Sequence, residues 1–207
     1  MHTLLLATQN PGKVREYQAL LADLPVQVRS LADLGIDLDV DETGTTFAEN
    51  AILKAQSYAA LDAVTKLEQA WVWADDSGLE VDALGGAPGV HSARYAGPNA
   101  TDEDRWRKLL ADLSALPGDP ATWTARFRCV VALVSPDGAA HTTQGTLEGR
   151  IIDQPRGSHG FGYDPIFLLP AEGKTLAELP SDHKNLISHR GQAAERAKAL
   201  LTDLLKG

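Results

Sequence analysis

The stretch TLLLATQNPGK, residues 3–13, decides the fold, because an apolar run in it passes directly into the start of a helix. Thr3 to Ala7 has the length and apolar character of a short buried strand. Asn10 is a favourable N-cap residue, and Pro11 suits the first helical position. The apolar residues that follow have helical spacing: Val14, Tyr17, Leu21 and Leu24. A strand followed at once by a helix is typical of α/β proteins.

The next part of the chain repeats this alternation. Thr46 to Glu49 has the capping-box pattern and predicts a helix with a buried face of Phe47, Ala51 and Tyr58. Trp71 to Ala74 is a predicted strand that ends at the polar run Asp75 to Gly78. Thr101 is predicted to cap a further helix.

The second half predicts a hairpin and a closing helix. Residues 127–134 and 140–146 are β-rich and flank the turn sequence Ser-Pro-Asp-Gly. A glycine-rich loop over residues 157–164 precedes a short strand at 166–169, and a helix is expected from about 191 to 205. We therefore predict an α/β fold in which helices flank a mixed β-sheet. Two lobes around a central cleft are compatible with this pattern but are not established by it.

Length and composition limit the classes of protein. The 207 residues suit one domain spanning 1–207, and 28 acidic against 19 basic residues give a formal charge of −9. This acidity argues against a nucleic-acid polymer as partner, which needs a basic face, but not against a small phosphorylated ligand. The single cysteine, Cys129, suits a reducing compartment. Since neither a signal peptide nor a run of roughly 20 apolar residues is visible, we expect a cytoplasmic protein without a membrane partner.

The junction between the first strand and helix is a candidate phosphate site. Backbone N–H groups and the helix dipole favour an anion at a helix start. Lys13 lies in the first turn, where its charge opposes the dipole unless an anion offsets it. The candidate residues are Thr8, Gln9, Asn10, Pro11, Gly12 and Lys13. A capped helix with a solvated lysine is the plainer interpretation.

Acidic residues and a lysine suggest a metal site near this junction. Asp75 and Asp76 leave an apolar strand, so their side chains point in opposite directions, and Glu42 follows Asp41 before the second helix. Carboxylates with few His or Cys residues suit Mg²⁺, which shares oxygen ligands with substrate phosphates. Lys54 interrupts the apolar face of the second helix and either extends to the surface or faces a charged ligand.

Two later segments have residue types that suit a nucleobase. Phe161, Gly162, Tyr163 and Asp164 place aromatic rings and an acid in a glycine setting, which is suited to stacking on a base or, more commonly, to a simple turn. His189 and Arg190 begin the last helix, where their charges call for a compensating anion, and Lys184 lies shortly before them. Ser77 is not expected to be a nucleophile, because the Gly-x-Ser-x-Gly pattern is absent.

Taken in order, several stretches resemble the Ham1/RdgB-type inosine triphosphate pyrophosphatases, or XTP/dITP diphosphatases. They are residues 7–13 (ATQNPGK), 42–51 (ETGTTFAENA), 74–79 (ADDSGL), 85–95 (GGAPGVHSARY), 160–167 (GFGYDPIF) and 188–191 (SHRG). Gln9 stands where many members of the family have Gly, and residues 64–69 form a slightly longer connection.

The resemblance implies hydrolysis of ITP, dITP and XTP to the monophosphate and pyrophosphate by a homodimer with an elongated, two-lobed α/β fold. It implies that residues 8–13 hold the phosphates, and that Asp76 accepts a proton and binds Mg²⁺ together with Glu42, although the adjacent Asp41 leaves that ligand open by one residue. It further implies substrate contacts from Ser77, from Phe161 to Asp164, and from Lys184, His189 and Arg190.

Selectivity for a 6-oxo purine calls for hydrogen-bond donors at that edge of the base. His189, Arg190 and the backbone N–H groups around Phe161 are the candidates. Two alternatives stay open at this point: a Maf-like pyrophosphatase acting on modified pyrimidine nucleotides, and a nucleotide-binding protein that has lost catalysis. Retention of Asp76, Glu42 and Lys13 argues against the second.

Overall fold

The computed structural model describes residues 2–206, and within that range seven strands form one mixed sheet. The strands are β1 (Thr3–Leu6), β2 (Gln27–Ser30), β3 (Ala70–Val81), β4 (Thr124–Val134), β5 (Ala140–Ile151), β6 (Phe167–Leu169) and β7 (Lys174–Thr175). The helices are α1 (Pro11–Leu20), α2 (Phe47–Ala59), α3 (Asp62–Thr65), α4 (Asp102–Ser114), α5 (Ser181–Ile187) and α6 (His189–Leu204).

The strand order is β2-β1-β3-β4-β5-β6-β7. Strand β1 is parallel to both β2 and β3, whereas β6 is antiparallel to both β5 and β7. Parallel pairing requires crossover connections, and α1 and α2 lie in the connections between these first strands. The predicted α/β class with a mixed sheet is confirmed. The hairpin is also confirmed as neighbouring strands β4 and β5, although both are longer than predicted.

Side-chain caps fix the starts of three helices where the sequence placed them. Asn10 caps α1 by accepting hydrogen bonds from Gly12 N and Lys13 N, and Thr46 and Thr101 form complete capping boxes at α2 and α4. Helix α1 ends at Leu20, so Leu24 lies beyond it. Helix α6 begins at His189, slightly before the predicted start at residue 191.

Strand β3 corrects one prediction. The sequence placed its end at Asp75, but the strand continues through Asp75, Asp76 and Ser77 to Val81. A buried strand can include carboxylates when they have charged or hydrogen-bonding partners, and Lys13 pairs with Asp75 while Asn50 bonds to Asp76. The polar run is therefore a strand interior. It is β1 that stops here, since its pairing with β3 ends at Leu6 beside Trp73.

The chain forms two compact units, and β3, β4 and β5 each contribute residues to both. The first unit comprises the chain up to Asp76, Cys129–Gly145 and the segment from Arg190 onwards. Its core joins Trp71 and Trp73 of β3 to residues of β1, β4, α1 and α6.

The second unit comprises Ser77–Arg128 and Thr146–His189. Its core is built around Phe127, Phe167 and the apolar residues of α4. In the part of the chain that the structure describes, no helix is both long and apolar enough to cross a bilayer.

Candidate active site

The predicted phosphate segment, residues 8–13, forms the junction between β1 and α1 in the first unit. The side chain of Asn10 accepts hydrogen bonds from Gly12 N at 2.8 Å and Lys13 N at 3.2 Å, and Thr8 Oγ1 accepts one from Asn10 N at 3.2 Å. Pro11 occupies the first helical turn and is exposed, whereas Gly12 is buried. Two of the N–H groups expected to face an anion therefore already donate to the cap.

Gln9 makes a contact that the sequence did not predict. Its Nε2 donates to the backbone carbonyl of Leu38 at 2.8 Å, and Tyr58 of α2 donates to the same carbonyl at 2.6 Å. The segment that leads to Glu42 is thus attached both to the phosphate segment and to α2.

Asp75 is the anion that compensates the cations of this region. Its side chain has no exposed surface, and its Oδ2 lies 3.0 Å from Lys13 Nζ and 3.6 Å from Arg190 Nε. Burial opposes the charge of Asp75, but Lys13 and Arg190 outweigh it and hold the pKa of the carboxyl well below its usual range. Arg190 also pairs with Glu16 at 2.6 Å. Lys13 and Arg190, whose charges had no assigned partner in the sequence, are therefore paired with carboxylates of the protein.

Asp76 has different neighbours, because alternate residues of a strand point to opposite faces. Its Oδ2 accepts a hydrogen bond from Asn50 Nδ2 at 3.0 Å, and its Oδ1 lies 3.7 Å from Lys54 Nζ. Burial raises the pKa of Asp76, Lys54 opposes the rise and the nearby charge of Glu42 adds to it.

Lys54 lies between two carboxylates. Its Nζ donates to Glu42 Oε1 at 2.5 Å and is also close to Asp76, while its side chain is only 12% exposed. Burial opposes its charge, but Asp76 and the neighbouring acids raise the pKa of Lys54 above its usual value. Lys54 therefore faces carboxylates of the protein rather than extending to the surface. A contact with a charged ligand stays a prediction.

The carboxylates of this region suit a divalent metal ion whose coordination is completed by ligands from outside the protein. Glu42 and Asp76 both approach the same lysine nitrogen, so the two carboxylates face one region. Among residues 2–206, no group of three or more His, Cys, Asp or Glu side chains is arranged to hold a metal. Mg²⁺ is commonly bound by one or two carboxylates together with phosphate oxygens. The two carboxylates therefore fit a divalent metal ion that takes its other oxygen ligands from a phosphate group.

The second unit contains the predicted base-binding segment, Phe161 to Asp164. Asp164 Oδ2 accepts hydrogen bonds from Phe161 N at 3.0 Å and from Lys184 Nζ at 2.6 Å, and the Lys184 ammonium lies 4.9 Å from the centre of the Phe161 ring. Gly162 N donates to Asp102 Oδ2 at 2.7 Å. The N–H groups proposed as donors to a purine are thus engaged with carboxylates of the protein.

The other predicted residues of this unit lie as follows. Tyr163 is buried and donates from its hydroxyl to the carbonyl of Ser92 at 2.9 Å. The His189 ring is stacked on Phe127 with 4.7 Å between centroids. Ser77 is half-buried in β3, directly after Asp76.

One carboxylate that the sequence left without a specific role, Asp75, and one residue that it did not consider, Asn50, lie at this site. Asp75 neutralises Lys13, and Asn50 bonds to Asp76. Asn50 could have been found, because it precedes Lys54 by one helical turn and both interrupt the buried face of α2. The partners of Asp75 could not, because Lys13 and Arg190 are far from it in sequence.

Known proteins resemble this chain over nearly its whole length. A sequence model of the Ham1 family matches residues 4–200. The chain is 47% identical over 201 residues to the dITP/XTP pyrophosphatase of Bacillus subtilis, an alignment that covers 97% of this chain and 98% of that protein. It is 47% identical over 208 residues to the dITP/XTP pyrophosphatase of Escherichia coli, covering 100% and 99% respectively. A solved Ham1 protein from Coxiella burnetii superposes with a TM-score of 0.85 at 45% identity, over 98% of this chain and 100% of that one. The chain belongs to the Ham1 family.

Proposed function

We propose that this chain is a nucleoside-triphosphate pyrophosphatase that hydrolyses ITP, dITP and XTP to the nucleoside monophosphate and pyrophosphate. The structural observation that carries the proposal is that Lys54, Glu42 and Asp76 meet at β3, while Lys13 pairs with the adjacent Asp75 and its charge also acts on Asp76. Every one of these side chains is mostly buried. Such a group of cations and acids suits a triphosphate with a bound metal ion. The substrate class is supported by the relatives named dITP/XTP pyrophosphatase.

Glu42 and Asp76 are the residues that would hold the metal, and we propose Mg²⁺. When bound, Mg²⁺ neutralises phosphate charge and lowers the pKa of a coordinated water. Lys13 and Lys54 add positive charge for the phosphates, which screens an approaching oxygen nucleophile. Both lysines are paired with carboxylates of the protein, which fix the positions of their ammonium groups.

Asp76 is the proposed proton acceptor. Its carboxylate lies between Asn50 and Lys54, and we propose that it takes the proton of a water attacking the α-phosphorus. Attack of the water on the α-phosphorus breaks the bond between that phosphorus and the oxygen that bridges to the β-phosphate, and pyrophosphate is released. The reaction needs no covalent intermediate, which agrees with the absence of a nucleophile-elbow pattern around Ser77.

We assign recognition of the base to the second unit, with Phe161 stacking on the purine. The N–H groups of Phe161 and Gly162 already donate to carboxylates of the protein, and Arg190 pairs with Glu16 and Asp75. His189 is therefore the proposed donor to the 6-oxo group in this unit. Leaving a buried donor unpaired against adenine costs about 1–3 kcal/mol, which would favour ITP over ATP.

The test is a panel of nucleotides assayed with pyrophosphate and orthophosphate measured separately. We expect ITP, dITP and XTP to be hydrolysed faster than ATP and GTP, with pyrophosphate as the product, and Asp76→Asn to lose nearly all activity. Orthophosphate as the first product would place attack at the γ-phosphorus and overturn the mechanism. Undiminished activity in Asp76→Asn would overturn the assignment of the base.

The remaining proposals are supported by membership of the Ham1 family alone. We propose that residues 1–207 act as one Ham1 domain, that the protein is a homodimer and that it acts in the cytoplasm. Light scattering coupled to size-exclusion chromatography tests the dimer directly, and a monomer at assay concentration would contradict it.

A further inference from the structure

Asn50 is a buried amide on α2 with no exposed surface, one helical turn before Lys54. Its Oδ1 accepts a hydrogen bond from Gly44 N at 2.8 Å, and its Nδ2 donates to Asp76 Oδ2 at 3.0 Å. Gly44 belongs to the segment that links Glu42 to α2. One side chain therefore connects the segment that carries one proposed metal ligand with the carboxylate of the other.

The chemistry of these partners fixes which way the amide points. A backbone N–H can only donate, so it must face the amide oxygen, and a carboxylate oxygen then faces the NH₂ group. A reversed amide would lose both hydrogen bonds and place its oxygen against the carboxylate of Asp76. The two bonds thus fix each other, and a displacement of Gly44 is transmitted to Asp76.

Gly44 shows that this approach is close. A Cβ atom added at Gly44 would lie 2.7 Å from Asn50 Oδ1 and 2.7 Å from the Cβ of Glu49, well inside van der Waals contact. The same segment is held at its other end by Glu49, which accepts hydrogen bonds from Thr45 N and Thr46 N. Only glycine allows the chain to pass the amide at this distance. The contact with Asn50 therefore requires a glycine at position 44.

We propose that Asn50 is a positioning residue, whose amide holds the Glu42 segment and the Asp76 carboxylate in one fixed relation and so prepares the metal-binding and proton-accepting oxygens. This inference rests on the proposed function of Asp76 and Glu42. Residues that orient metal ligands typically change metal affinity or activity by about 10–100-fold when replaced. Asn50 is expected to act in this range without itself touching the substrate.

The experiment compares Asn50→Asp, Asn50→Ala and Gly44→Ala with the wild type and with Gln56→Ala, an exposed amide on the same helix. Asn50→Asp keeps an acceptor for Gly44 but sets a carboxylate against Asp76, whereas Gly44→Ala displaces an unaltered Asn50. For each variant kcat and KM for ITP are measured at saturating Mg²⁺. Binding of Mn²⁺ alone to the nucleotide-free protein is measured by water proton relaxation, well below each variant's melting temperature.

We expect kcat to fall about 10–100-fold in the Asn50 and Gly44 variants, while KM for ITP changes by less than about threefold. Mn²⁺ affinity should weaken in Asn50→Ala and Gly44→Ala, because the Glu42 segment is released, and Gln56→Ala should match the wild type. A folded Gly44→Ala or Asn50→Asp protein with wild-type kcat would overturn the proposal, whether or not Asn50→Ala folds. A loss of stability without a change in kcat would reduce Asn50 to a structural residue.

The two readouts separate this inference from the proposed function. A wild type that fails to hydrolyse ITP contradicts the proposed function, and Mn²⁺ binding then still decides whether Asn50 positions the carboxylates. A wild type that hydrolyses ITP with no difference in kcat or Mn²⁺ affinity among the folded variants overturns the inference alone.

Discussion

Replacing Asp75 by asparagine removes a buried negative charge with almost no change of shape. The carboxylate has no exposed surface, and its Oδ2 lies 3.0 Å from Lys13 Nζ and 3.6 Å from Arg190 Nε. The amide of Asp75→Asn cannot neutralise either cation. We therefore expect a less stable protein in which Lys13 has lost the group that holds it beside the phosphate segment.

The size of the effect follows from the surroundings. Removing one partner of a buried ion pair costs about 3–5 kcal/mol. Two features reduce this cost here: the Lys13 side chain is 13% exposed and can turn towards water, and Arg190 keeps its partner Glu16 at 2.6 Å. We expect the free energy of unfolding to fall by about 3 kcal/mol, the low end of that range.

The stability lost in Asp75→Asn should become smaller as the pH falls. In the folded protein the pKa of Asp75 is held below its usual value, because its cationic partners outweigh the effect of burial. An unfolded aspartate takes up a proton near pH 3.9, so below about pH 4 the unfolded state binds more protons than the folded one. The contribution of Asp75 is thus fully present above about pH 5 and is lost as pH falls further. The difference between wild type and Asp75→Asn should be constant from pH 6 to 8 and shrink in acid.

Urea denaturation followed by circular dichroism measures this difference, with KM for ITP as a second readout that should rise. Asp23→Asn is the matched control, since Asp23 also pairs with a lysine, Lys198, but at the exposed surface. Its stability should equal that of the wild type within error. A loss of less than about 1 kcal/mol for Asp75→Asn would refute the assignment of Asp75 as a buried anion required by two cations.

Three further predictions test other parts of the molecule. Cys129 should resist a thiol reagent at pH 8 in the native protein and react fully in urea, as measured by mass spectrometry. The reason is that burial, the largest of several causes, raises the pKa of the Cys129 thiol to about 12. Asp102→Ala should raise KM for ITP several-fold, since Gly162 N loses its acceptor, while Asp104→Ala, which removes only the side-chain bonds to Thr101 at the start of α4, should leave KM unchanged. Thr46→Ala should lower the free energy of unfolding by about 1 kcal/mol in urea titrations, because the capping box of α2 is lost; an unchanged midpoint would contradict that role.

Features that depend on neighbours in sequence were predictable. The capping boxes at Thr46 and Thr101 and the Asn10 cap are local patterns, and each helix begins where they place it. The β4–β5 hairpin was found because its turn chemistry is local as well. By contrast, the short β2 and β7 and the single-turn helices have too few residues to show a period.

Features that depend on distant partners were not predictable. A run of Asp, Asp and Ser after an apolar strand indicates a turn, because unpaired carboxylates are not buried. The run is the interior of β3 here because Lys13, Asn50 and Lys54 arrive from other elements. The candidate residues could be selected by type and order, but which carboxylate meets which cation requires the fold.

The different roles of Asp75 and Asp76 depend on the register of β3. Trp71 and Trp73 alternate with Val72 and Ala74, and both tryptophans lie in the core that α1 and α6 cover. Asp75 continues the tryptophan face and therefore meets Lys13 of α1 and Arg190 of α6, whereas Asp76 points to the opposite face and meets α2. A shift of β3 by one residue would exchange the faces of all these side chains and would remove both tryptophans from the core that α1 and α6 cover. The burial of two indoles thus fixes which aspartate is a structural anion and which faces the proposed metal ligand, so the packing of the first unit and its chemistry are specified by the same strand pairing.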